Sequence, residues 1–169
     1  MADAAAAPVA GPQVGEVAPL FVLPADDGSL VDLAALRGRP VILYFYPQDA
    51  TPGCTTQSCD FRDNWAAIRD EGALVFGLSP DSMESHADFR RSLALPFPLL
   101  VDRDHRVAEA YGIWGEKRLF AVKYQGIKRT TIGIDGEGVV RLRLERARGT
   151  GHARAALEWL RSGGAGGRP

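Results

Sequence analysis

Hydrophobic positions divide the chain into short apolar runs separated by amphipathic stretches. Residues 41–46 form a continuous apolar run between Pro40 and Pro47, which is typical of a strand buried on both faces. A similar run covers residues 73–78, and a helical pattern lies between the two. This order predicts a parallel β-α-β unit whose first strand is central.

The helical pattern between these runs has a clear spacing and a clear end. Phe61, Trp65 and Ile68 recur at helical spacing, and Gly72 supplies a stop signal. We therefore expect an amphipathic helix that buries Phe61 and Trp65 against the sheet.

Further short elements follow the second strand. Asp81 and Glu84 are spaced as a capping box, which predicts a helix that begins here and ends before Pro96. Residues 99–101 are typical of another strand, and residues 104–111 of a short helix.

Two pairs of β-rich runs flank turn sequences. Residues 20–23 and 30–33 surround Asp-Asp-Gly-Ser, and residues 129–134 and 139–144 surround Asp-Gly-Glu-Gly, so both pairs predict hairpins. A last helix is indicated by one apolar face, formed by Ala153, Ala156, Leu157 and Leu160. Together the elements predict an α/β fold with a mixed central sheet flanked by helices in three layers.

Composition limits the number of domains and the class of partner. A chain of 169 residues that is 46% hydrophobic can bury one core. We expect a domain at 14–161 between an Ala/Pro/Gly-rich N-terminal tail, 1–13, and a flexible C-terminal tail, 162–169. The net charge of -1 predicts no binding to nucleic acid or membranes. No secretory leader or membrane span is recognisable, and a cytoplasmic location is expected.

The candidate chemistry lies in the two cysteines, Cys54 and Cys59. Two cysteines form no multi-bridge framework, and this favours a reducing compartment. Cys54 falls where a helix begins, and unpaired N–H groups and the helix dipole at that position stabilise a thiolate, the nucleophilic form of cysteine. The pattern predicts thiol redox chemistry.

Helix geometry separates the two sulfurs. In an unbroken helix, a spacing of five residues gives a rise of about 7.5 Å and a rotation of about 140°, which places the Cα atoms roughly 8.6 Å apart. A disulfide needs less than about 7 Å. We therefore expect the first turns to unwind before Cys54 and Cys59 can bond.

Several motifs resemble one known family. The stretch 45–55, Phe-Tyr-Pro-Gln-Asp-Ala-Thr-Pro-Gly-Cys-Thr, is similar to the active-site signature of the peroxiredoxins, in which Pro, Thr and Cys recur at fixed spacing. A second cysteine five positions later, followed by Phe-Arg-Asp, resembles the Q-type subfamily, the bacterioferritin comigratory proteins. Residues 111–117 and 129–135 extend the resemblance, which covers about residues 14–161.

The resemblance implies a thioredoxin-like fold, an enzyme and a role for five residues. Cys54 would be the peroxidatic cysteine, which becomes a sulfenic acid as it reduces hydrogen peroxide or an organic hydroperoxide. Cys59 would resolve it into an intramolecular disulfide. Thr51 would hydrogen-bond the peroxide, Pro47 would screen the site, and Arg129 would hold thiolate and peroxide through its guanidinium.

The resemblance also implies the partners. Thioredoxin or a similar dithiol protein, such as a glutaredoxin-like reductant, would reduce the disulfide by exchange. Resolution within one chain implies a monomer, and no cofactor is expected.

Three alternatives concern other side chains. Lys128 competes with Arg129 for the role of the cation at Cys54. His86, His105 and His152 lie in polar stretches, so we expect them on the surface and expect no metal site. Trp114 either lines the site or anchors its loop.

Two other functions remain open on sequence. A thioredoxin-like oxidoreductase is disfavoured because such enzymes use a C-x-x-C pair. A thiol-based redox sensor would form the same disulfide but would not complete turnover. A dinucleotide site at residues 133–138 is rejected, because these glycines lie in a hairpin.

Overall fold

The computed structural model describes residues 11–163. Its elements in chain order are β1 (Val22–Pro24), β2 (Leu30–Asp32), a 3-10 turn (Leu33–Leu36), β3 (Val41–Phe45), α1 (Pro52–Asp70), β4 (Leu74–Ser79), α2 (Met83–Leu93), β5 (Leu99–Val101), α3 (Arg106–Ala110), β6 (Trp114–Leu119), β7 (Val122–Ile127), β8 (Thr130–Ile134), β9 (Val140–Glu145) and α4 (His152–Arg161). The tails at 1–13 and 162–169 fall mostly outside the described residues, and the domain limits stay a prediction.

The central sheet has five strands in the order β5-β4-β3-β8-β9. β3 runs parallel to β4 and antiparallel to β8, so the sheet is mixed. Every residue of β3 is buried. The predicted mixed sheet with a central strand in residues 41–46 is confirmed.

Side chains alternate along β3 and divide the core into two layers. Ile42 and Tyr44 join Phe61 in the layer under α1, α2 and α4. Leu43 and Phe45 join the opposite layer, which α3 covers. Helices therefore lie on both faces of the sheet, as the three-layer prediction requires, and α1 is positioned directly beside the central strand.

The predicted end of α1 and the predicted apolar face of α4 are confirmed, but the predicted burial of Trp65 in α1 is only partial. α1 ends at Asp70, and Gly72 has φ +86°, a conformation that glycine adopts without steric cost. Phe61 is fully buried, whereas Trp65 is only partly buried and stacks with the Arg69 guanidinium at 4.6 Å. The predicted apolar face of α4 is buried throughout, at Ala153, Ala156, Leu157 and Leu160.

The start of α2 differs from the prediction by one residue. Ser82 is the N-cap, and its hydroxyl accepts a hydrogen bond from the Ser85 N–H at 3.1 Å. Asp81 instead accepts from the Asp49 N–H at 2.8 Å and from the Ser79 hydroxyl. The predicted capping box was wrong because Asp81 binds a distant loop, a partner that local spacing does not reveal.

One hairpin was not predicted. The β1–β2 and β8–β9 pairs are antiparallel, as expected. β6 and β7 form a further two-stranded sheet, closed at its tip by Leu119 opposite Val122. Phe120 in the turn has φ +57° and is 91% exposed. This hairpin places Trp114 at the start of β6, where its ring stacks on His105 at 3.7 Å between centroids.

Among residues 11–163, none of the helices combines the length and the apolar character needed to cross a bilayer.

Candidate active site

The first turn of α1 carries the candidate nucleophile. Thr51 is the N-cap and Pro52 the first helical residue, so Cys54 is the third, and its side chain is 1% exposed. The helix's first hydrogen bond runs from the Thr55 N–H to the Thr51 carbonyl at 2.8 Å. The N–H groups of Gly53 and Cys54 precede this bond and have no partner within the helix. The predicted position of Cys54 at a helix start is confirmed.

Arg129 reaches this turn from the residue before β8. Its Nη2 lies 3.5 Å from the Cys54 Sγ, and its Nη1 donates to the Gln57 Oε1 at 2.6 Å. Its Nε donates to the Ala147 carbonyl at 2.9 Å. The guanidinium is thus held on three sides, with one of its N–H groups directed at the sulfur.

Gly53 and a residue that sequence reasoning missed, Gln57, make this approach possible. Gln57 is fully buried one helical turn after Cys54, and its amide oxygen fixes the guanidinium by accepting a hydrogen bond from it. Gly53 leaves the space that Arg129 occupies, since a Cβ at residue 53 would lie 2.8 Å from Nη2. The Pro-Gly-Cys sequence was a visible signal for the glycine, but Gln57 resembles any polar helical residue.

A surface cavity of about 320 Å³ lies beside Arg129. Pro47 lines it, together with Lys117, Lys128, Arg129, Glu145, Arg146 and Ala147. Lys128 therefore lies at the site, but the contact with the Cys54 sulfur belongs to Arg129. The Thr51 hydroxyl donates to the Gln48 carbonyl at 2.8 Å, so in this state it braces its own loop.

Lys117 adds positive charge near the sulfur. Burial is the main cause that lowers the pKa of Lys117; the Arg129 charge acts in the same direction and Cys54 in the opposite one. Its ammonium donates to the Ile127 carbonyl at 2.8 Å. This residue belongs to the hairpin that sequence reasoning did not predict, and for that reason it was missed.

Cys59 lies on the same uninterrupted helix and is half-buried, and both cysteines are free thiols. The helix is continuous from Pro52 to Asp70. Its regular geometry separates the two Cα atoms by roughly 8.6 Å. The structure therefore represents the form in which Cys54 faces Arg129 and a disulfide is out of reach.

Two buried contacts tie the helix segment between the cysteines to the core. Gln57 bonds Arg129, and the Ser58 hydroxyl lies 2.9 Å from the Tyr44 hydroxyl. The Tyr44 ring also stacks on Phe61 at 4.7 Å. Burial raises the pKa of Tyr44, so its hydroxyl stays protonated. Both polar contacts must break if this part of α1 unwinds.

The prediction of three surface histidines was wrong for two of them. His86 and His152 are fully buried, and His105 is partly exposed. His86 lies between the Asp49 carboxylate, 2.8 Å from Nδ1, and the Leu100 carbonyl, 2.9 Å from Nε2. Asp49 and Leu100 come from distant elements, so the polar sequence around His86 gave no sign of its burial.

Asp49, Asp81 and His86 bring three potential metal-ligand atoms within 4.8 Å of one another. Asp49 also accepts from the Tyr46 hydroxyl at 2.6 Å and the Ser85 hydroxyl at 2.8 Å. Protein partners already occupy these ligand atoms. The cluster holds the loop after β3 against α2 and β5, upstream of Cys54.

The AhpC/TSA family matches residues 14–143 of the chain. Peroxiredoxin Bcp of Bacillus subtilis is 42% identical over 149 residues, which cover 88% of this chain and 95% of that protein. Peroxiredoxin Bcp of Escherichia coli is 39% identical over 149 residues, covering 88% and 96%.

The fold is similar to that of solved Q-type structures. Peroxiredoxin Q of Xanthomonas campestris superposes with a TM-score of 0.79 at 34% identity, covering 84% of this chain and 90% of that one. A bacterioferritin comigratory protein of the same organism, described for its alkyl peroxide reduction activity, gives a TM-score of 0.81 at 31% identity, covering 89% and 98%.

Proposed function

The chain belongs to the AhpC/TSA family and, within it, to the Bcp or Q-type peroxiredoxins, and from this premise we propose a role for each residue of the site. The protein is a thiol peroxidase with a thioredoxin-like fold. The observation that carries the assignment of roles is the Arg129 Nη2, 3.5 Å from the Cys54 Sγ at the start of a helix.

Cys54 is the peroxidatic residue. Its thiolate attacks one oxygen of the hydroperoxide, an S–O bond forms as the O–O bond breaks, and the other oxygen leaves as water or alcohol after it takes up a proton. Arg129 stabilises the thiolate before the attack and the negative charge on the departing oxygen during it. The product is a Cys54 sulfenic acid.

Pro47 and Thr51 shape the approach to the sulfur. Pro47 screens the thiolate from bulk water at the cavity wall, and this contact with the cavity supports its role. The Thr51 hydroxyl turns from the Gln48 carbonyl to the bound peroxide, to which it can donate or from which it can accept a hydrogen bond.

Cys59 is the resolving residue. After the first turns of α1 unwind, its thiolate attacks the sulfenic sulfur, the S–O bond breaks, and the oxygen leaves as water with one added proton. The continuous helix supports this order of events, since it keeps Cys59 away from Cys54 until the helix opens.

The cycle closes by thiol–disulfide exchange with a dithiol protein, thioredoxin or a glutaredoxin-like reductant. That protein loses two electrons as the Cys54–Cys59 disulfide gains them. We further propose that the protein is a monomer, because both reacting cysteines belong to one chain, and that it is cytoplasmic, because two cysteines form no multi-bridge framework. Substrates include hydrogen peroxide and organic hydroperoxides, an extension supported by the alkyl peroxide activity in the description of the Xanthomonas relative.

Peroxide consumption coupled to thioredoxin and thioredoxin reductase tests the whole cycle. Wild-type protein should turn over repeatedly, and Cys54→Ser should be inactive. Oxidation of wild-type protein by one equivalent of peroxide with no turnover by thioredoxin, glutaredoxin or dithiothreitol would contradict the enzymatic cycle and favour a sensor. Sedimentation of the reduced and oxidised protein tests the monomer.

A further inference from the structure

A short backbone segment at residues 146–149, which we call the strap, packs against the site. The Ala147 carbonyl in the strap accepts from the Arg129 Nε at 2.9 Å, and the Arg146 N–H reaches the Arg129 carbonyl at 3.3 Å. Gly149 lies against the first turns of α1, and a Cβ at residue 149 would lie 2.8 Å from the backbone nitrogen of Gln57. The position of the Arg129 guanidinium thus depends on where the strap lies.

The imidazole of His152 contacts two backbone carbonyls of the strap. Its Nε2 lies 2.9 Å from the Arg148 carbonyl and 3.2 Å from the Arg146 carbonyl, the two carbonyls that flank Ala147. Carbonyl oxygens only accept hydrogen bonds, so Nε2 carries the proton. Its Nδ1 lies 2.8 Å from the Thr131 hydroxyl, which can donate to it. A neutral imidazole therefore satisfies every contact, and its ring is fully buried.

We propose that His152 is a positioning residue for peroxide reduction: by donating from Nε2 to the strap carbonyls, it fixes Ala147 and through it the guanidinium of Arg129 at Cys54. This inference rests on the roles proposed above for Cys54 and Arg129. His152 touches neither the sulfur nor the peroxide; it acts through two backbone carbonyls and one arginine.

The charges around His152 favour this neutral state. Burial is the main cause that lowers the pKa of His152, and the hydrogen bonds to the two strap carbonyls act in the opposite direction. The Arg129 and Arg146 charges lower this pKa further. The Asp60 carboxylate on α1 accepts from the Ala153 N–H beside the ring at 3.0 Å. The cations at Arg129, just before β8, and at Arg146 in the strap oppose protonation of the ring, so the Nε2 proton stays directed at the strap.

Two substitutions separate the two nitrogens. The amide of Gln extends as far as Nε2, so His152→Gln keeps a donor for the strap; the amide of Asn extends only to Nδ1, so His152→Asn keeps the Thr131 contact and loses the strap donor. We expect His152→Asn to slow the reaction of Cys54 with hydrogen peroxide roughly ten- to hundredfold, the cost of a small displacement at a reacting centre. His152→Gln should recover most of the wild-type rate.

The measurement is the second-order rate of Cys54 oxidation by stopped flow, with the thiolate fraction of Cys54 read from its ultraviolet absorbance, well below the melting temperature of each variant. His105→Asn, at a partly exposed ring stacked on Trp114, is the matched control and should match wild type. Equal rates in His152→Asn and His152→Gln would overturn the proposal, even if both lose stability.

A second readout uses wild-type protein. Imidazole nitrogen chemical shifts should show the Nε2–H tautomer of His152 at neutral pH. The Nδ1–H tautomer would overturn the proposal, and this measurement does not depend on whether His152→Asn folds. A wild-type protein that fails to reduce peroxide with dithiothreitol would contradict the proposed function itself, whereas an active wild type whose two variants react alike contradicts only the role of His152.

Discussion

At the scale of single residues, the site depends on one guanidinium that meets three partners at once. Arg129 contacts the Cys54 sulfur, the Gln57 amide oxygen and the Ala147 carbonyl. Arg supplies these directions because its N–H donors lie in a fixed plane, whereas a lysine ammonium is a compact charge on a flexible stem. This difference separates Arg129 from its neighbour Lys128.

Replacing Arg129 by Met should remove the contact to sulfur and keep much of the apolar stem. A hydrogen bond to a charged group contributes about 1.5 to 3 kcal/mol, which corresponds to a rate loss of roughly 10- to 150-fold. The rate of peroxide reduction, measured by stopped flow, should fall by this amount. Lys128→Met is the control; if it lowers this rate more than Arg129→Met does, the assignment of the cation is wrong.

Replacing Cys59 by Ser should leave the first chemical step intact. Cys54 should react once with peroxide and stop as a sulfenic acid, because no other cysteine exists in the chain. Mass spectrometry after one equivalent of peroxide detects one added oxygen. Turnover of Cys59→Ser with thioredoxin at the wild-type rate would show that Cys59 does not resolve the sulfenate.

At the scale of elements, α1 has two tasks that oppose each other. Its folded first turn supplies N–H groups and places Cys54 against Arg129, but its regular geometry keeps Cys59 away. The buried contacts of Gln57 and Ser58 strengthen the folded form. Each contact that stabilises the reactive helix must therefore slow the closure of the disulfide.

Tyr44→Phe should speed disulfide closure without slowing the attack on peroxide. It removes the bond to Ser58, which contributes about 0.5 to 1.5 kcal/mol, and keeps the ring that stacks on Phe61. Closure, followed after a peroxide pulse by mass spectrometry of alkylated samples, should accelerate roughly two- to tenfold. Tyr111→Phe, which loses a bond to the Pro19 carbonyl in the other core layer, should not change it.

The β6–β7 hairpin carries an unusual turn residue. Phe120 has φ +57°, which is costly for a bulky side chain, and its ring is exposed. Phe120→Asn should stabilise the protein by about 1 kcal/mol, because Asn tolerates this conformation. Thermal unfolding should then shift upward by roughly 2 to 4 °C, and a decrease would mean that the ring makes a stabilising contact in solution.

Sequence reasoning succeeded where the signal was local and apolar. The run at β3, the spacing of Phe61 and Ile68 and the turn between β8 and β9 each predicted their element. It failed at β6–β7, whose strands are largely exposed and have no continuous apolar run, and at Asp81, whose partner lies in another loop. Gln57 and His152 could not be found because Gln57 bonds Arg129, which lies 72 residues away, and the His152 Nδ1 contacts Thr131, which lies 21 residues away.

At the scale of the whole molecule, stability should depend on pH through His152. Its pKa is lowered in the folded state, mainly by burial, so below about pH 6.5 the unfolded chain binds the proton more readily. The free energy of unfolding should therefore decrease as pH falls from about 6.5 through the lowered pKa. Urea titrations of wild type and His152→Gln test this; an equal pH slope in both would assign the effect to other groups.

The uninterrupted helix from Pro52 to Asp70 also sets a timing condition. Once Cys54 has become a sulfenic acid, opening of the helix competes with arrival of a second peroxide molecule, which would carry the sulfur irreversibly to the sulfinic state. Opening has a fixed rate, while the second oxidation scales with peroxide concentration. The opening rate of α1 therefore sets a peroxide concentration above which the enzyme is inactivated, and variants that open faster should survive higher concentrations.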